Sequence, residues 1–384
     1  PGLTHKADLS TESRAAVAGG ITSFMEMPNT IPQTLTQDLL EKKYQLASEK
    51  SLANYSFYMG ASNDNLDEIL KTNPEKVCGV KVFMGASTGN MLVDDPDTLN
   101  AIFEKSPLLV AVHAENESTI RKNLAGFKME YGDNIPVMFH PEIRSEDACY
   151  ESSSFAVELA KKYGTRLHVL HLSTARELGL FDNQQPIRSK KITSEVCIHH
   201  LWFSNEDYDE LGNHIKWNPA IKTEHDREAL LEALKMDIID IVATDHAPHT
   251  REEKSQVYTI APSGGPMVQH ALPVMLEFYS KGKMPLWMVV EKMCHAPAEC
   301  FKIEKRGYIR EGYYADLVLI DLRNPWIVDE SNILYKCGWS PLSGQTFSSK
   351  IVKTFVNGHL VYDDGKFDVS LKGQRLKFER IKTK

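Results

Sequence analysis

Residues that can bind a metal ion or a polar substrate stand at the ends of nearly all the short apolar runs in this sequence. These ends read Pro28-Asn29, Lys81-Val82-Phe83, His113-Ala114-Glu115, His171-Leu172-Ser173, Glu195 through His199-His200, and Asp245-His246-Ala247-Pro248-His249. Histidine with carboxylate is the usual ligand set of a hydrolytic zinc site. If the runs are strands whose ends converge, the sequence predicts a metal-dependent hydrolytic centre.

Lys81 stands inside an apolar run, between Val80 and Val82. On an edge strand it would be a surface lysine whose stem covers apolar surface. In a closed barrel, which has no edges, it would be buried, and desolvation would lower its pKa. A neutral amine can add carbon dioxide to give a carbamate, which could bridge two metal ions about 3.5–4 Å apart.

Other polar residues at these ends have both a structural and a functional interpretation. Asp245 either caps the following turn or serves as metal ligand and proton shuttle. Pro248 stiffens that turn and gives His249 a defined direction. Asn29 and Asn218 are either turn residues or hydrogen-bond donors to a substrate.

Two further features are assigned by pattern. In a strand covering residues 167–171, His168 and His171 would point to opposite faces, so we expect His168 to be structural and to face the helices if His171 faces inward. The loop Ser263-Gly264-Gly265-Pro266 is no phosphate loop, because no Gly-Lys-Ser/Thr follows it. It could offer backbone groups to a ring-shaped substrate.

Seven apolar runs alternate with helical stretches, which predicts parallel strands covered on both faces. The predicted strands are Ile21 to Met27, Asn54 to Gly60, Cys78 to Gly85, Leu108 to His113, Arg166 to His171, Ile192 to Ile198 and Ile238 to Asp245. The clearest predicted helices are Thr11 to Ala18, Gln37 to Ser48, Ser152 to Tyr163 and Glu224 to Lys235.

An open doubly wound sheet could hold seven strands, whereas a closed (β/α)₈ barrel needs eight. Ligand-type residues on five or more separate strands favour the barrel, because all its strand ends meet at one mouth. The fold class predicted is therefore α/β, a TIM-like barrel of the metal-dependent hydrolase type, with its first strand expected upstream of Pro1. We predict this barrel over residues 1–305.

Residues 306–384 are predicted to form a small β-appendage. Ala315 to Ile320 has a strand pattern, and Thr354 to Val361 predicts two strands joined by Asn357-Gly358, a strong hairpin signal. We expect this appendage to pair with strands that precede Pro1.

Composition narrows the class of protein. The chain has 384 residues, 42% hydrophobic and 25% charged, with a net charge of -8. This acidic balance argues against nucleic acid or an anionic membrane surface as partner, and no apolar run is long enough to span a bilayer. The six cysteines form no CxxC pair, which predicts reduced thiols in a cytoplasmic protein.

Taken together, these motifs resemble the dihydroorotases, which are amidohydrolases related to hydantoinases and allantoinases. The resemblance spans about Pro1 to Leu360. It is carried by Thr244 through His249, Met27-Pro28-Asn29-Thr30, Gly79-Val80-Lys81-Val82-Phe83, His168-Val169-Leu170-His171 and Glu195-Val196-Cys197-Ile198-His199-His200-Leu201.

The resemblance implies a centre of two divalent metal ions, usually zinc. Lys81 would be a bridging ligand carrying a carbamate derived from CO2. His113 and His171 would bind one metal ion, and Asp245 the other. Glu195 matches a position that binds an extra metal in some relatives.

The resemblance also implies how a substrate is held. Asn29 and His249 would bind its carboxylate, with His249 as a protonated or donor-oriented imidazole. Asn218 and the loop that contains Pro262 and Gly264 would line the ring. The family's first strand ends in His-x-His followed by Arg, and we expect these residues upstream of Pro1.

The activity implied is the reversible hydrolysis of dihydroorotate to N-carbamoyl-L-aspartate, a step of pyrimidine synthesis. One alternative is a hydantoinase or allantoinase, which would act on a ring without a carboxylate. Another is a non-catalytic barrel retained as a scaffold. Small-molecule substrates and a second copy of the chain are the partners expected.

Overall fold

The computed structural model describes residues 2–85 and 90–379. Its helices are α1 (Leu9–Ala18), α2 (Gln37–Lys50), α3 (Leu66–Leu70), α4 (Pro96–Lys105), α5 (Glu117–Tyr131), α6 (His140–Ile143), α7 (Glu146–Tyr163), α8 (Ile198–Trp202), α9 (Tyr208–Leu211), α10 (Glu224–Lys235), α11 (Arg251–Lys254), α12 (Ala271–Ser280), α13 (Leu286–Val290) and α14 (Ala296–Phe301). Short 3₁₀ turns cover Val137–Phe139, Arg176–Leu180, Asn205–Asp207 and Gly212–Ile215, and a π-helical turn covers Glu291–His295.

Parallel strands form the centre of the fold. They are β1 (Ser23–Glu26), β2 (Asn54–Phe57), β3 (Met59–Gly60), β4 (Val80–Phe83), β5 (Val110–His113), β6 (Leu167–Val169), β7 (Ile192–Cys197) and β8 (Ile241–Ala243). β1 pairs with β2, and β3 to β8 pair in chain order. Only Tyr58 separates β2 from β3, so these two strands together correspond to the one strand predicted for residues 54–60. The seven predicted strands therefore form one row of parallel neighbours, which confirms the parallel α/β prediction. Within the described ranges β8 and β1 do not pair.

Helix caps follow the sequence closely. The Asp8 side chain accepts hydrogen bonds from the first turn of α1, and Thr11 bonds back to the backbone of Asp8. Thr223 and Asp226 form the same reciprocal box at α10. The predicted starts of α1, α2 and α10 lie within two residues of the observed ones, whereas α7 begins at Glu146, well before the predicted Ser152.

The two faces of the strands have different partners. Val82, Val110 and Val169 point outward into a core with the helices that contains Phe103 and Val157. Side chains at alternate positions point inward. At the lower end of the barrel, inward-facing residues pack on α14; they include Tyr58, Ala111 and Ile241 with Cys300 and Phe301.

Strand register sets which side chains share the interior. Lys81 pairs with Ala111, which pairs with His168, which pairs with Thr193. Registered neighbours on parallel strands point to the same side, so all four face inward. Lys81 therefore lies on an interior strand, and the alternative of an edge lysine is wrong.

An antiparallel sheet follows the barrel, in the order β14-β13-β12-β9. Its strands are β9 (Leu317–Asp321), β12 (Lys350–Val356), β13 (His359–Asp363) and β14 (Lys366–Phe367), while β10 (Trp326–Ile327) and β11 (Thr346–Phe347) form a separate pair. Asn357 and Gly358 join β12 to β13 with positive φ angles of 55° and 84°, as the hairpin signal predicted.

The C-terminal sheet packs against the barrel at α1, where Thr354 Oγ1 donates to Val17 O at 2.7 Å. The chain then returns to the barrel, with bridges from Arg375 to Tyr55 and from Phe378 to Ile303. The division at residue 305 stays a prediction. No helix in the described part of the chain is both long and apolar enough to cross a membrane.

Candidate active site

Two buried histidines meet at the mouth of the barrel. His113 ends β5, and His171 follows β6 in a left-handed backbone conformation with φ 40°. His113 Nδ1 lies 3.0 Å from His171 Nε2. Burial lowers the pKa of both imidazoles, and for His171 the neighbouring His113 and Lys81 lower it further. Both rings are therefore neutral near pH 7, which is the form that binds metal ions.

Lys81 lies in the same region and is 2% exposed. Its Nζ is 4.0 Å from the centre of the Phe83 ring and donates to Val82 O at 3.2 Å. Burial holds the pKa of Lys81 well below its usual range, although Asp245 and Glu195 act in the opposite direction. A neutral amine in this position has the free electron pair that carbamate formation requires.

Asp245 follows β8 and has a positive φ of 41°. Non-glycine residues adopt this conformation at a cost, and such strain is concentrated at functional sites. Burial and the nearby Glu195 carboxylate together raise the pKa of Asp245 to about 7, although Lys81 acts in the opposite direction. Asp245 can therefore both accept and release a proton near neutral pH.

His168 is placed differently from the prediction. Its Nε2 is 3.0 Å from Glu195 Oε2 and its Nδ1 is 2.8 Å from Thr193 Oγ1, so it faces the interior. The parity argument is wrong because β6 ends at Val169, and the left-handed backbone at His171 breaks the alternation. Both His168 and His171 therefore face inward, and Glu195 is held by His168.

A buried ion pair beside His113 was not assigned from the sequence. Glu115 is 0% exposed, and Arg144 Nε lies 3.0 and 3.1 Å from its two carboxylate oxygens. Glu115 Oε2 also lies 2.9 Å from His113 Nε2. The two atoms are close, but they are not aligned as a hydrogen bond. Burial alone would raise the pKa of Glu115, but Arg144 and His113 hold it well below its usual range.

The donors present suit a divalent metal ion. Two imidazole nitrogens converge beside Lys81, and His171 Nδ1 has no hydrogen-bond partner in the described structure. Among residues 2–85 and 90–379, no three His, Cys, Asp or Glu side chains lie close enough together to hold a metal ion. Within the described residues, the His113–His171 pair therefore offers two metal-ligand side chains, and a third would have to come from a modified Lys81.

Asn29, which was predicted to bind the substrate carboxylate, and the predicted ring-lining residues lie in loops that follow the strands. Asn29 is exposed in the loop after β1. Asn218 Oδ1 is buried without a hydrogen-bond partner in the described structure. The Gly264 N–H donates to Lys216 O at 2.8 Å, and the Pro262 carbonyl accepts from Lys254 Nζ at 2.9 Å.

His249 is contacted by residues from two sides. Lys6 Nζ lies 3.1 Å from His249 Nδ1, and Glu253 Oε2 lies 3.3 Å from the same atom. Burial and the positive charges of Lys6 and Lys254 together lower the pKa of His249 to about 4, although Glu253 acts in the opposite direction. The imidazole of the ligand-free protein is therefore neutral at pH 7, which favours the donor-oriented alternative.

His246 fixes the segment next to Asp245. Its Nε2 is 2.7 Å from Glu12 Oε2, and its Nδ1 accepts from Met267 N at 3.0 Å. These two contacts require the proton on Nε2. No local sequence signal identifies Glu12 as the partner, because it lies 234 residues away on α1.

Comparisons with known proteins identify the family of this chain. The model of the Amidohydrolase family matches residues 4–361. The chain is 32% identical to a dihydroorotase from Methanosarcina mazei, covering 90% of this chain and 76% of that protein. It is 33% identical to a dihydroorotase from Halobacterium salinarum, covering 94% of this chain and 83% of that protein.

A solved structure matches closely as well. The L-hydantoinase (dihydropyrimidinase) from Arthrobacter aurescens superposes with a TM-score of 0.91 at 28% identity, covering 98% of this chain and 85% of that one. The dihydroorotase relatives exceed this identity over a similar share of the chain. The chain therefore belongs to the amidohydrolase family, as a metal-dependent cyclic amidohydrolase of the dihydroorotase group.

Proposed function

We propose that this chain catalyses the reversible hydrolysis of dihydroorotate to N-carbamoyl-L-aspartate, a step in the synthesis of pyrimidine nucleotides. The observation that carries the proposal is the His113–His171 pair beside a buried lysine and a carboxyl group whose pKa is about 7. The identity to dihydroorotases over most of the chain supports the choice of ring.

We propose that Lys81, His113, His171 and Asp245 hold two divalent metal ions, of which zinc suits the imidazole ligands best. Lys81 would do so as its carbamate. When bound, such ions polarise the amide carbonyl and lower the pKa of water to about 7. Glu195 bonds to His168, so any role for it as a further ligand requires that contact to open.

Asp245 is proposed as the catalytic residue. It takes a proton from the attacking water molecule as the carbon–oxygen bond forms. It then gives that proton to the ring nitrogen as the carbon–nitrogen bond breaks, which leaves the carbamoyl NH2 and a carboxylic acid that loses its remaining proton to solvent. The reverse reaction uses the same residue in the opposite order.

Residues of the surrounding loops would orient the substrate. We propose that His249 donates from Nε2 to the substrate carboxylate, with Asn29 as a second donor. Asn218 and the backbone of Pro262 and Gly264 would line the ring. The unpartnered Oδ1 of Asn218 supports its role, because a buried amide oxygen without a donor is costly and a ring N–H would supply one. A homodimer is the proposed assembly.

The decisive experiment compares kcat/KM for dihydroorotate with kcat/KM for hydantoin and dihydrouracil. A dihydroorotase prefers the ring that carries a carboxylate. Preference for hydantoin would replace the proposal by the hydantoinase alternative, to which the likeness to the Arthrobacter structure lends weak support. Lack of turnover on all three rings, with metal supplied, would leave the scaffold alternative.

The Lys81 proposal has its own test. Lys81→Ala should abolish hydrolysis and lower metal content, and short carboxylic acids should restore part of both by filling the place of the carbamate. The fully buried Lys292 offers a matched control, because Lys292→Met removes a buried lysine whose partner is Asp237. Normal turnover and metal content in Lys81→Ala would exclude the assignment.

A further inference from the structure

A carboxylate of helix α1 reaches the barrel mouth next to the proposed catalytic residue. Glu12 Oε2 lies 2.7 Å from Nε2 of His246, which directly follows Asp245 in the chain. The Glu12 and His246 side chains are each 14% exposed, so solvent screens their contact less than it would a surface pair. The contact lies one residue away from the carboxyl group that would move the proton.

The hydrogen bonds of His246 define its tautomer. The backbone N–H groups of Met267 and Val268 point to His246 Nδ1, with distances of 3.0 and 3.3 Å. A backbone N–H donates only to a ring nitrogen that carries no proton, so Nδ1 is the acceptor and Nε2 carries the proton. The Nε2–H group therefore donates to the carboxylate of Glu12.

Glu12 is held from a second side by the C-terminal part of the chain. Its Oε1 accepts from the backbone N–H of Lys336 at 3.1 Å, and Thr11 Oγ1 lies 2.9 Å from the same oxygen. Lys336 belongs to the segment between β10 and β11, whose Tyr335 ring has its centre 5.3 Å from that of the His246 ring. Both carboxylate oxygens of Glu12 thus have partners, which fixes the direction of its side chain.

His246 in turn connects Asp245 to the loop that would line the substrate ring. The backbone of His246 forms a parallel bridge with Gly265, and Ala247 N donates to Gly265 O at 3.1 Å. Asp245 itself has a positive φ of 41°. A strained backbone of this kind persists only where its surroundings hold it. The His246 contacts supply such a hold on the side of Asp245 that leads away from β8.

We propose that Glu12 is a positioning residue for the hydrolysis: acting through His246, it holds the carboxyl group of Asp245 in the direction that proton transfer requires. The inference rests on the proposed function, in which Asp245 moves the proton. It also makes the segment between β10 and β11 part of the scaffold of the site, although this segment lies beyond the barrel predicted for residues 1–305.

The first test replaces Glu12 in the full chain, with metal supplied. Glu12→Ala removes the acceptor but keeps a strong helix former in α1. We expect kcat for dihydroorotate to fall by about ten- to a hundredfold while KM changes less, because Asp245 is misplaced. Glu12→Gln should stay within about threefold of the wild type, since its amide oxygen can accept from His246 Nε2–H. Arg14→Ala, at an exposed position of the same helix, is the matched control and should leave kcat unchanged.

Two further measurements test the route through His246. If Glu12 acts through this imidazole, the kcat of Glu12→Ala/His246→Gln should equal that of His246→Gln alone. NMR of the wild type carrying ¹⁵N-labelled histidine, with His246→Gln to assign the signals, should show Nδ1 of His246 without a proton and Nε2 with one. Glu12→Ala should shift the Nε2 signal, and Arg14→Ala should not.

The outcomes separate this inference from the proposed function. If the wild type hydrolyses hydantoin or dihydrouracil but not dihydroorotate, the proposed function fails, and the Glu12 variants are compared on the ring that is hydrolysed. A chain that hydrolyses no ring overturns both. Glu12 is not a positioning residue if Glu12→Ala keeps kcat within twofold of the wild type, if Glu12→Gln loses as much as Glu12→Ala, or if the losses of Glu12→Ala and His246→Gln multiply. A proton on His246 Nδ1 of the wild type overturns the inference even where Glu12→Ala does not fold.

Discussion

The Glu115–Arg144 ion pair should stabilise the fold and also prepare His113 to bind a metal ion. Arg144→Met removes the guanidinium and leaves the carboxylate of Glu115, which is 0% exposed, without its main partner. Removing one member of a buried pair costs about 3–5 kcal/mol, because the remaining charge is uncompensated. We expect the free energy of unfolding of the metal-free protein to fall by that amount.

The double variant Arg144→Met/Glu115→Gln distinguishes the two roles of the pair. It removes the orphaned charge, so it should recover at least half of the lost stability. It does not restore the anion 2.9 Å from His113 Nε2, so metal affinity should stay about 10–100-fold below that of the wild type. Urea unfolding gives the first quantity, and competition with a chelator gives the second.

Three results would refute this reasoning. One is an Arg144→Met protein as stable as the wild type. Another is a double variant no more stable than Arg144→Met. The third is wild-type metal affinity in Glu115→Gln. The matched control is Arg176→Met, which removes an exposed arginine that pairs with Asp147 and should change stability little.

Two further predictions concern buried groups away from the metal residues. Burial lowers the pKa of His270 to about 3, and His246 lowers it further, so the unfolded chain binds this proton first as pH falls below 6.5. Between pH 6 and 4, His270 should therefore lower the free energy of unfolding by about 1.4 kcal/mol for each unit that the pH falls. The free energy of unfolding of His270→Gln should depend less steeply on pH than that of the wild type or of the control His225→Gln. Gly264→Ala should lower the free energy of unfolding by about 1–3 kcal/mol and raise KM, because Gly264 has a φ of +119° and a Cβ there would lie 2.5 Å from Ala247 O. Gly126→Ala is the control, since a Cβ at Gly126 would have no atom within 4 Å. Equal effects of the two substitutions in unfolding and kinetic assays would contradict the reasoning.

The sequence was enough to predict the strands and the side chains at their ends. Buried parallel strands give continuous apolar runs, and all seven predicted runs contain or overlap an observed strand. Lys81 could be selected as a candidate because an ionisable residue inside such a run is rare. His113, His171 and Asp245 could be selected as candidates because strand ends in a barrel meet at one mouth.

Other features depended on information that strand patterns do not contain. The inward direction of His168 follows from the end of β6 and the backbone at His171, which no two-residue alternation predicts. Arg144 contacts Glu115 across 29 residues, and Lys6 contacts His249 across 243. Such partners are set by how separate loops meet over the barrel, so single-sequence motifs do not reveal them.

The placement of charge around the mouth bears on how a substrate would lie there. On one side, the His113 and His171 rings are neutral and the pKa of Lys81 is held well below its usual range, while His168, whose pKa is raised to about 10, and Arg144 are paired with Glu195 and Glu115. On the other side, burial lowers the pKa of Lys6 and holds that of Lys254 well below its usual range, while three backbone carbonyls that accept from Lys254 Nζ favour its ammonium form. A ring that carries a carboxylate would bind with that group toward the lysines and with its amide carbonyl toward the histidines. The opposite orientation would bring the carboxylate close to Glu195 and Asp245, and repulsion between like charges disfavours it.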